Sequence, residues 1–350
     1  MGKVCSFRKG YGIAKDDLSS DGTPCILYGE LYTTYKTAIA KTIKSKTSIQ
    51  SKSLVYSQKD DVIIPCSGET AEDIATSICV PYDGVLLGGD LTVVHSDLDG
   101  AFLSNQINSV RKYDIARIAQ GKSIVHLQAD ELKKIFIFYP SIQEQRKISA
   151  FIDKIDERIE IQNKIISKYE TLIKGLCNMI FIHNKSVSLS DLVKCKTSAL
   201  QENMVSTCHR GEYKVLGASG AIAAIDTYQF EESGILVLKD GSKAGKIQFA
   251  EGKYSVIGTS VVLIPNEACD ARYLYFAMSS IDFEKYKVGS GIPHIYFKDY
   301  SNERIYYPEK SLRKRITEAL DAYDIKLGIE KEMLSALQKQ KAFLIKSMFI

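Results

Sequence analysis

Two stretches of the chain have apolar side chains that recur in alternating steps of three and four residues, interrupted only at Gln162, Glu330 and Lys341. Such a narrow apolar seam is typical of a coiled coil, so it predicts two long helices that pair with each other in antiparallel fashion. The alternative is that each helix packs on its own domain. The predicted seam residues are Ile148, Ile152, Ile155, Ile159, Ile166, Tyr169, Ile173, Leu176 and Ile180 in the first helix, and Ile316, Leu320, Tyr323, Leu327, Leu334, Leu337, Leu344 and Met348 in the second.

The sequence also marks where the first helix starts. Ser141 and Glu144 follow Pro140 directly and have the S-x-x-E spacing of a capping box, in which two side chains satisfy the free N–H groups of the first turn. The helix is therefore predicted to begin just after Pro140.

The two helices belong to an internal duplication. Residues 121–182 align with residues 289–350 without a gap, and 14 of the 62 aligned pairs are identical, where average composition would give about four. His126 and His294 fall on each other. Upstream the copies drift apart, because the first copy has gained roughly twenty residues between positions 5 and 85.

Each copy before its helix contains short apolar runs bounded by glycines, which predict strands, and residues 270–286 have a helical pattern. We therefore predict an α+β fold. Two duplicated domains are separated by two long helices that form an antiparallel coiled coil, with an approximate two-fold relation between the copies. The predicted boundaries are 1–140 for the first domain, 141–185 for the central helix, 186–308 for the second domain and 309–350 for the last helix.

Composition narrows the class of protein. The net charge of +4 comes from the helical segments, which hold 8 basic and 6 acidic residues in 141–185 and 9 and 6 in 309–350, so bulk charge does not indicate nucleic-acid binding. The eight cysteines form no C-x-x-C pair, which indicates reduced thiols. No apolar run approaches the ~18 residues of a membrane span, and no signal peptide is evident, so we expect a cytoplasmic protein.

Motifs for catalysis are missing from the sequence. The segment Gly241–Ile247 resembles a P-loop but is one residue short and lacks the Ser or Thr that would bind magnesium. The neighbouring Cys208 and His209 would point to opposite faces of a strand, so they do not suggest a nucleophile and its base. We predict no catalytic residues, no bound metal and no cofactor.

Candidate DNA contacts lie in three places. The segment Leu31–Lys59 has six lysines and no acidic residue, interleaved with Tyr, Thr and Ser, which suits phosphate contacts; the alternative is a solvated face. The segment around Gly241 and the glycine-rich segment at Gly289 expose backbone N–H groups; the alternative for the former is a hairpin turn. The candidates are Tyr32, Tyr35, Lys36, Lys41, Lys44 and Lys46 in the first segment, Lys239, Ser242, Lys243 and Lys246 in the second, and Gly289, Ser290 and Gly291 in the third. His126 and His294 are predicted to pack where each domain meets its helix.

These features together resemble the specificity subunit of type I restriction-modification systems. The resemblance covers essentially the whole chain and is firmest at Pro140, Glu144, Gln145, Lys147 and Ile148. In the second copy Leu312 and Arg313 replace Glu and Gln, which leaves the cap of that helix uncertain.

The resemblance implies that each domain reads one half of a split DNA sequence and that the helices hold methyltransferase subunits, of which we expect two. Those subunits would use S-adenosylmethionine, and restriction subunits would use ATP and Mg²⁺. This chain would then be a DNA-binding subunit without a catalytic centre. Two other functions stay open: a duplicated DNA-modifying nuclease, and a coiled-coil structural protein that does not bind DNA.

Overall fold

The structure is a computed structural model that describes residues 1–51, 53–121, 124–183, 185–205, 210–267 and 270–349. Cys208, His209 and Cys269 lie outside the described residues. The chain divides into two compact units. The first consists of Met1–Asn163 and Met333–Ile350, and the second of Lys164–Glu332.

The first unit is built on two four-stranded sheets. It contains the strands β1 (Cys5–Lys9), β2 (Leu18–Ser19), β3 (Thr23–Ile26), β4 (Ser45–Thr47), β5 (Asp61–Pro65), β6 (Ser67–Gly68), β7 (Ile78–Val80), β8 (Leu86–Leu87), β9 (Leu91–Ser96) and β10 (Val125–His126). One sheet is antiparallel in the order β1-β9-β5-β7, and the other has the order β2-β4-β3-β8. The second sheet uses residues from the region where the first copy is longer.

Helices cover the first sheet and extend from it. They are α1 (Glu30–Thr33), α2 (Ala71–Ile74), α3 (Gly100–Asn108), α4 (Lys112–Ile118), α5 (Ala129–Lys134) and the first part of α6 (Ile142–Phe181), with a 3-10 turn at Lys15–Asp17. The sheet and α3 enclose a core that includes Val62, Ile64, Val94 and Leu103. The apolar runs of the sequence thus form the buried strands that they predict.

The second unit repeats this architecture. Its strands are β11 (Val187–Ser188), β12 (Val193–Thr197), β13 (Tyr213–Gly217), β14 (Gly220–Ile225), β15 (Gly234–Leu238), β16 (Ile247–Ala250), β17 (Tyr254–Val256), β18 (Ser260–Pro265) and β19 (Arg304–Ile305). Its helices are α7 (Leu189–Leu192), α8 (Glu202–Val205), α9 (Ala271–Met278), α10 (Phe297–Tyr300) and most of α11 (Lys310–Met348), with a 3-10 turn at Phe283–Tyr286.

The main sheet of the second unit has the order β12-β18-β15-β16, which matches β1-β9-β5-β7 strand for strand, and all its pairs are antiparallel. The duplication predicted from the sequence therefore extends through the part where the two copies no longer align well. A smaller sheet, β14-β13-β17, completes this unit.

Each long helix begins two residues after a proline, Pro140 before α6 and Pro308 before α11. At α6 the predicted capping box is present, since Glu144 Oε2 accepts from the Ser141 N–H at 3.1 Å and Ser141 Oγ accepts from the Glu144 N–H at 3.4 Å. Gln145 adds a bond from its Nε2 to the Pro140 carbonyl at 2.8 Å and accepts from the Asp99 N–H at 3.0 Å.

Arg313 takes the place of Gln145 in the second copy. Its Nη1 donates to the Pro308 carbonyl at 2.6 Å, and its Nε and Nη2 donate to the Asp270 carboxylate at 3.0 and 2.9 Å. Both side chains thus tie the first turn of a long helix to the proline before it and to the aspartate that precedes α3 or α9. The departure from the family motif at Arg313 preserves the joint.

Within each unit the segments of α6 and α11 run antiparallel. In the first unit Lys341 Nζ lies 2.5 Å from Asp156 Oδ1, and Phe349 packs with Ile152 and Phe102. In the second unit Lys331 Nζ lies 2.7 Å from Glu170 Oε1, and Cys177 shares a core with Leu320. The predicted antiparallel pairing is confirmed in both units.

Two positions of the predicted seam differ in burial. Tyr323 is 36% exposed, and the neighbouring Asp321 and Asp324 bind Arg272. Gln162, the polar residue that interrupts the apolar series of the first helix, is 5% exposed and therefore buried. The helices also pack on their domains, as Phe181 does in the second unit, so both sequence-based alternatives are realised.

Candidate nucleic-acid interface

The turn between β15 and β16 carries the candidate residues Lys239, Ser242, Lys243 and Lys246. It is a closed hairpin turn, in which the Ala244 N–H donates to the Gly241 carbonyl and the Gly245 N–H to the Leu238 carbonyl, at 2.9 and 2.7 Å. Gly241 and Gly245 have φ values of +95° and +89°, which favour glycine. Ser242, Lys243 and Lys246 are exposed at its tip, while Lys239 is partly buried. The segment is therefore a hairpin turn, and its exposed lysines leave it available for phosphate contacts as well.

The glycine-rich segment lies directly beside this turn, although about fifty residues separate them in the sequence. The Gly241 N–H donates to the Pro293 carbonyl at 2.9 Å, and the Ile295 N–H donates to the Lys239 carbonyl at 2.9 Å. Gly289, Ser290 and Gly291 are exposed next to the lysines. The structure thus brings the two candidate segments of the second unit together into one surface, here called the lysine turn surface, made of residues 239–246 and 289–294.

His294 belongs to this surface. Its Nδ1 lies 2.8 Å from Asp240 Oδ1, and the two residues bridge the neighbouring strands. In the first unit His126 Nδ1 lies 3.1 Å from Ser67 Oγ in the equivalent short ladder between β6 and β10. The prediction that these histidines pack where each domain meets its long helix is therefore wrong. His294 fastens the glycine-rich segment to the turn, and His126 joins β10 to β6.

A cavity of about 570 Å³ adjoins the lysine turn surface. Its lining includes Lys243 and Lys246 from the turn, Lys174 from α6, and Lys287, which is paired with Glu284 at 2.7 Å. Basic side chains around a cleft raise the local positive potential and attract phosphate groups. Lys174 of α6 thus lies around the same cavity as the lysines of the turn.

The lysine-rich segment of the first unit is less uniform than its sequence indicates. Tyr35 packs against the core, where burial raises its pKa to about 12, and its hydroxyl lies 3.4 Å from the Lys44 N–H. Lys36, Lys44 and Lys46 are exposed and form no ion pair with a described residue. Tyr32 is partly exposed on α1. These exposed lysines remain candidates for phosphate contacts, whereas Tyr35 packs against the core.

Lys41 differs from its neighbours. Its Nζ lies 2.6 Å from Asp153 Oδ1 and 2.8 Å from Glu157 Oε1, both on α6. Partial burial lowers the pKa of Lys41, but the two hydrogen bonds outweigh this effect and hold it above its ordinary value. The structure therefore commits Lys41 to a contact between its domain and the helix.

The equivalent surfaces of the two units differ in charge. In the first unit the turn after β5 carries Glu69, Glu72 and Asp73 where the second unit has lysines. The pKa of the nearby Tyr32 is raised by partial burial, to which Tyr28, Asp73 and Glu69 add. The candidate lysines thus lie on the β15–β16 turn in one unit and in the segment around β4 in the other.

Two polar clusters were not found from the sequence. Asp61 is fully buried and accepts from Arg8 and from His95 Nδ1, the latter at 2.8 Å, so it holds two partly exposed donors on the first sheet. In the second unit Lys253 Nζ lies 4.7 Å from the ring centroid of Tyr228 and 5.8 Å from that of Tyr213. The first cluster left one signal in the sequence, an aspartate at the start of an apolar strand. The second cluster left none, because its residues lie far apart in the sequence.

Across the described residues, His, Cys, Asp and Glu side chains form no group of three or more that could hold a metal ion. In the same part of the chain, no helix has the length and apolar character needed to cross a bilayer.

Comparison with known proteins defines the class. A family model described as the type I restriction modification DNA specificity domain matches the chain twice, over residues 1–171 and 183–339. Two copies of the domain thus account for nearly the whole chain. The chain belongs to this family, and the resemblance seen in the sequence is confirmed.

Solved structures agree on the fold. The S subunit of a type I restriction-modification system from M. genitalium superposes with a TM-score of 0.68 at 16% identity, covering 100% of this chain and 94% of that one. A chain from a structure on complex assembly and conformational transition of the type I R-M system gives a TM-score of 0.53 at 16% identity, covering 99% and 96%. The α+β fold class is confirmed.

A curated relative supports the same family over a shorter stretch. The type I restriction enzyme MjaVIII specificity subunit of Methanocaldococcus jannaschii is 30% identical over 122 residues. That alignment covers 34% of this chain and 28% of the relative, less than a third of its length.

Proposed function

We propose that this chain is the DNA-recognition subunit of a type I restriction-modification complex in the cytoplasm and that it reads a bipartite DNA target. The observation that carries this proposal is the duplication: two recognition domains with the same sheet order stand in one chain, each followed by a copy of the same long helix. A protein with two diverged readers recognises two different half-sites separated by a spacer of unread bases.

The lysine turn surface of the second unit and the exposed lysines around β4 of the first are the proposed phosphate contacts. Phosphate contacts fix the position of a protein on the duplex without reading sequence, so base readout falls to other side chains. We assign part of that readout in the first unit to Arg8 and His95, because their side chains are 36% and 41% exposed and are held in place by the buried Asp61. Oriented arginines are well suited to guanine O6 and N7.

The chain itself is proposed to be non-catalytic and to need no cofactor. Its sequence has no motif for methyl transfer, phosphodiester hydrolysis or ATP hydrolysis. Two methyltransferase subunits would bring S-adenosylmethionine, and restriction subunits would bring ATP and Mg²⁺. The long helices would hold the methyltransferase subunits.

Selection from a random DNA pool tests the proposal. The full chain, assembled with its methyltransferase subunits, is incubated with the pool, and the bound DNA is recovered and sequenced. A split motif of two different half-sites with a fixed spacer supports the proposed function. No enrichment would favour a structural protein, and Mg²⁺-dependent cleavage by the purified chain alone would favour a nuclease.

A variant with Lys243 and Lys246 replaced by glutamine sharpens this test. If these residues contact phosphates, the variant binds all sequences more weakly, its salt slope falls by about 2, and its selected motif is unchanged. Lys326, which is exposed on α11, gives a matched control. A slope equal to that of the wild type would remove the lysine turn surface from the DNA interface.

A further inference from the structure

The two long helices carry the same pair of aspartates. Asp153 and Asp156 of α6 align with Asp321 and Asp324 of α11 in the gapless repeat, each pair separated by three residues. Residues three apart on a helix lie on one face, so each pair presents two carboxylates side by side. All four carboxylates have basic partners, but the partners are not equivalent.

In the second unit one guanidinium binds both carboxylates. Arg272 of α9 donates from Nε to Asp321 Oδ1 at 2.5 Å and from Nη2 to Asp324 Oδ2 at 2.6 Å. The same guanidinium lies 4.7 to 5.2 Å from the ring centroids of Phe249, Phe276 and Tyr275. Arg272 is thus fixed from two sides, by charge and by aromatic rings, and ties the recognition domain to α11.

In the first unit the counterpart of α9 is α3, which contains no arginine or lysine. It places Phe102 against Ile152 and Phe349 instead. The carboxylates are taken over by other residues: Lys41 binds Asp153 and also Glu157, while Lys341 binds Asp156. Lys41 comes from the region in which the first copy is longer, so the contact between domain and helix has been rebuilt from inserted sequence.

The side chains of several of these ion pairs are partly buried. Asp156 is 9% exposed at its side chain, and the side chains of Arg272, Asp321 and Asp324 are 22%, 29% and 27% exposed. Partial burial reduces screening by solvent and salt, and a bidentate arginine adds a defined direction. The Arg272 pairs therefore restrict the angle between the second recognition domain and α11. Lys41 makes the corresponding contact in the first unit with a more exposed side chain, 43% against 21% for Asp153, whereas Lys341 and Asp156 link the two helices to each other.

We propose that Arg272 and Lys41 are positioning residues that clamp the recognition domains onto the duplicated aspartates and thereby fix the spacing between the two DNA half-sites. This inference rests on the proposed function. A clamp lost at one end allows its domain to move by a few ångströms along the helix. Since one base pair spans 3.4 Å, such movement changes the accepted spacer by about one base pair.

The test compares the spacer lengths of DNA selected by the wild type and by three variants, each as the full chain with its methyltransferase subunits. Arg272→Met keeps the packing on the rings and removes the charge. Lys41→Met removes the charge that pairs with Asp153 and Glu157 in the first unit. The double variant Asp321→Asn with Asp324→Asn removes the carboxylates and leaves Arg272 in place, and Lys326→Met on the same helix is the control.

We expect the wild type and the control to select one spacer length. Arg272→Met and Lys41→Met should select the same half-site sequences with spacers that spread over about one base pair on either side. The carboxylate variant should match Arg272→Met, and combining the two should add nothing further, because both remove one interaction. Arg272→Lys should be intermediate, since an ammonium cannot replace the planar fork.

Three results would overturn the inference. A wild-type spacer in folded Arg272→Met and Lys41→Met would show that the clamps do not set the spacing. Loss of a half-site sequence with an unchanged spacer would assign these residues to the readout itself. If Arg272→Met fails to fold, the spacer length and half-site sequences selected by the variant with Asp321→Asn and Asp324→Asn test the inference in its place. A wild type that selects no split motif would contradict the proposed function first, and the inference with it.

Discussion

Replacing Asp270 with alanine is expected to destabilise the second unit strongly. The Asp270 and Arg313 side chains are only 5% and 8% exposed, and the carboxylate accepts from Arg313 Nε and Nη2 and from the Tyr307 hydroxyl. Removing one partner of a buried ion pair leaves the other charge unpaired and costs about 3–5 kcal/mol. For a unit of this size, that lowers the melting midpoint by roughly 6–20 °C.

The reverse replacement, Arg313→Gln, should cost less. A buried carboxylate can take up a proton and lose its charge, whereas a guanidinium stays charged at every accessible pH. A glutamine also matches the first copy, where Gln145 bonds to the Pro140 carbonyl at 2.8 Å.

Unfolding followed by far-UV circular dichroism measures these effects, since the chain has no tryptophan. Lys314→Ala, whose side chain is 77% exposed, is the control and should change stability by less than about 0.5 kcal/mol. Equal losses for Asp270→Ala and Arg313→Gln, or a loss below about 1 kcal/mol for Asp270→Ala, would refute the reasoning.

Further predictions follow from the same structure. A seven-residue insertion at equivalent points of α6 and α11 keeps the seam in phase and lengthens the helices by ~10 Å, so selected DNA should contain a spacer about three base pairs longer; an unchanged spacer would remove the helices as the ruler. Replacing Lys44 and Lys46 by glutamine should lower the salt slope of DNA binding by about 2, whereas Lys41→Gln alone should not lower it; the reverse pattern would place Lys41 in the DNA interface. Burial raises the pKa of Cys25 and of Cys177 to about 11, so alkylation at pH 8 should be about a hundredfold slower in the folded chain than in the unfolded chain; equal rates, measured by mass spectrometry, would contradict that burial. The purified chain should show no methyltransferase, nuclease or ATPase turnover, and activity that survives extensive purification would contradict the non-catalytic role.

The sequence predicts most of the fold because the strongest signals are periodic. The seam residues from Ile148 to Ile180 repeat often enough that single exceptions do not hide the pattern, and the gapless repeat transfers the assignment to α11. Tyr323 shows the limit of this reasoning. The periodicity places this residue in the seam, yet its side chain is 36% exposed. The neighbouring Asp321 and Asp324 bind Arg272, and such a contact between α9 and α11 leaves no local pattern in the sequence.

The candidate site was only partly predictable, for the same reason. Lys243 and Gly289 were each singled out by local composition, yet their closeness follows from the hydrogen bond between Gly241 and Pro293. Lys41 has the same local composition as Lys44, but only Lys41 reaches the carboxylates of α6. Composition identifies a lysine-rich segment; the tertiary partners of each lysine decide its role.

The central claim is that each domain reads its own half-site, and a chain with two copies of the first domain tests it most directly. Ile135 and Glu303 occupy the same position in the gapless repeat. The terminal amine of Met1 donates to the Ile135 carbonyl, and the Leu189 N–H donates to the Glu303 carbonyl, so Met1 and Leu189 are equivalent. Residues 189–308 are therefore replaced by residues 1–140, and the DNA motif selected by this chain is sequenced beside that of the wild type. The account predicts an inverted repeat of one wild-type half-site. Selection of the unchanged asymmetric motif, or of a single half-site with no second copy, would contradict it.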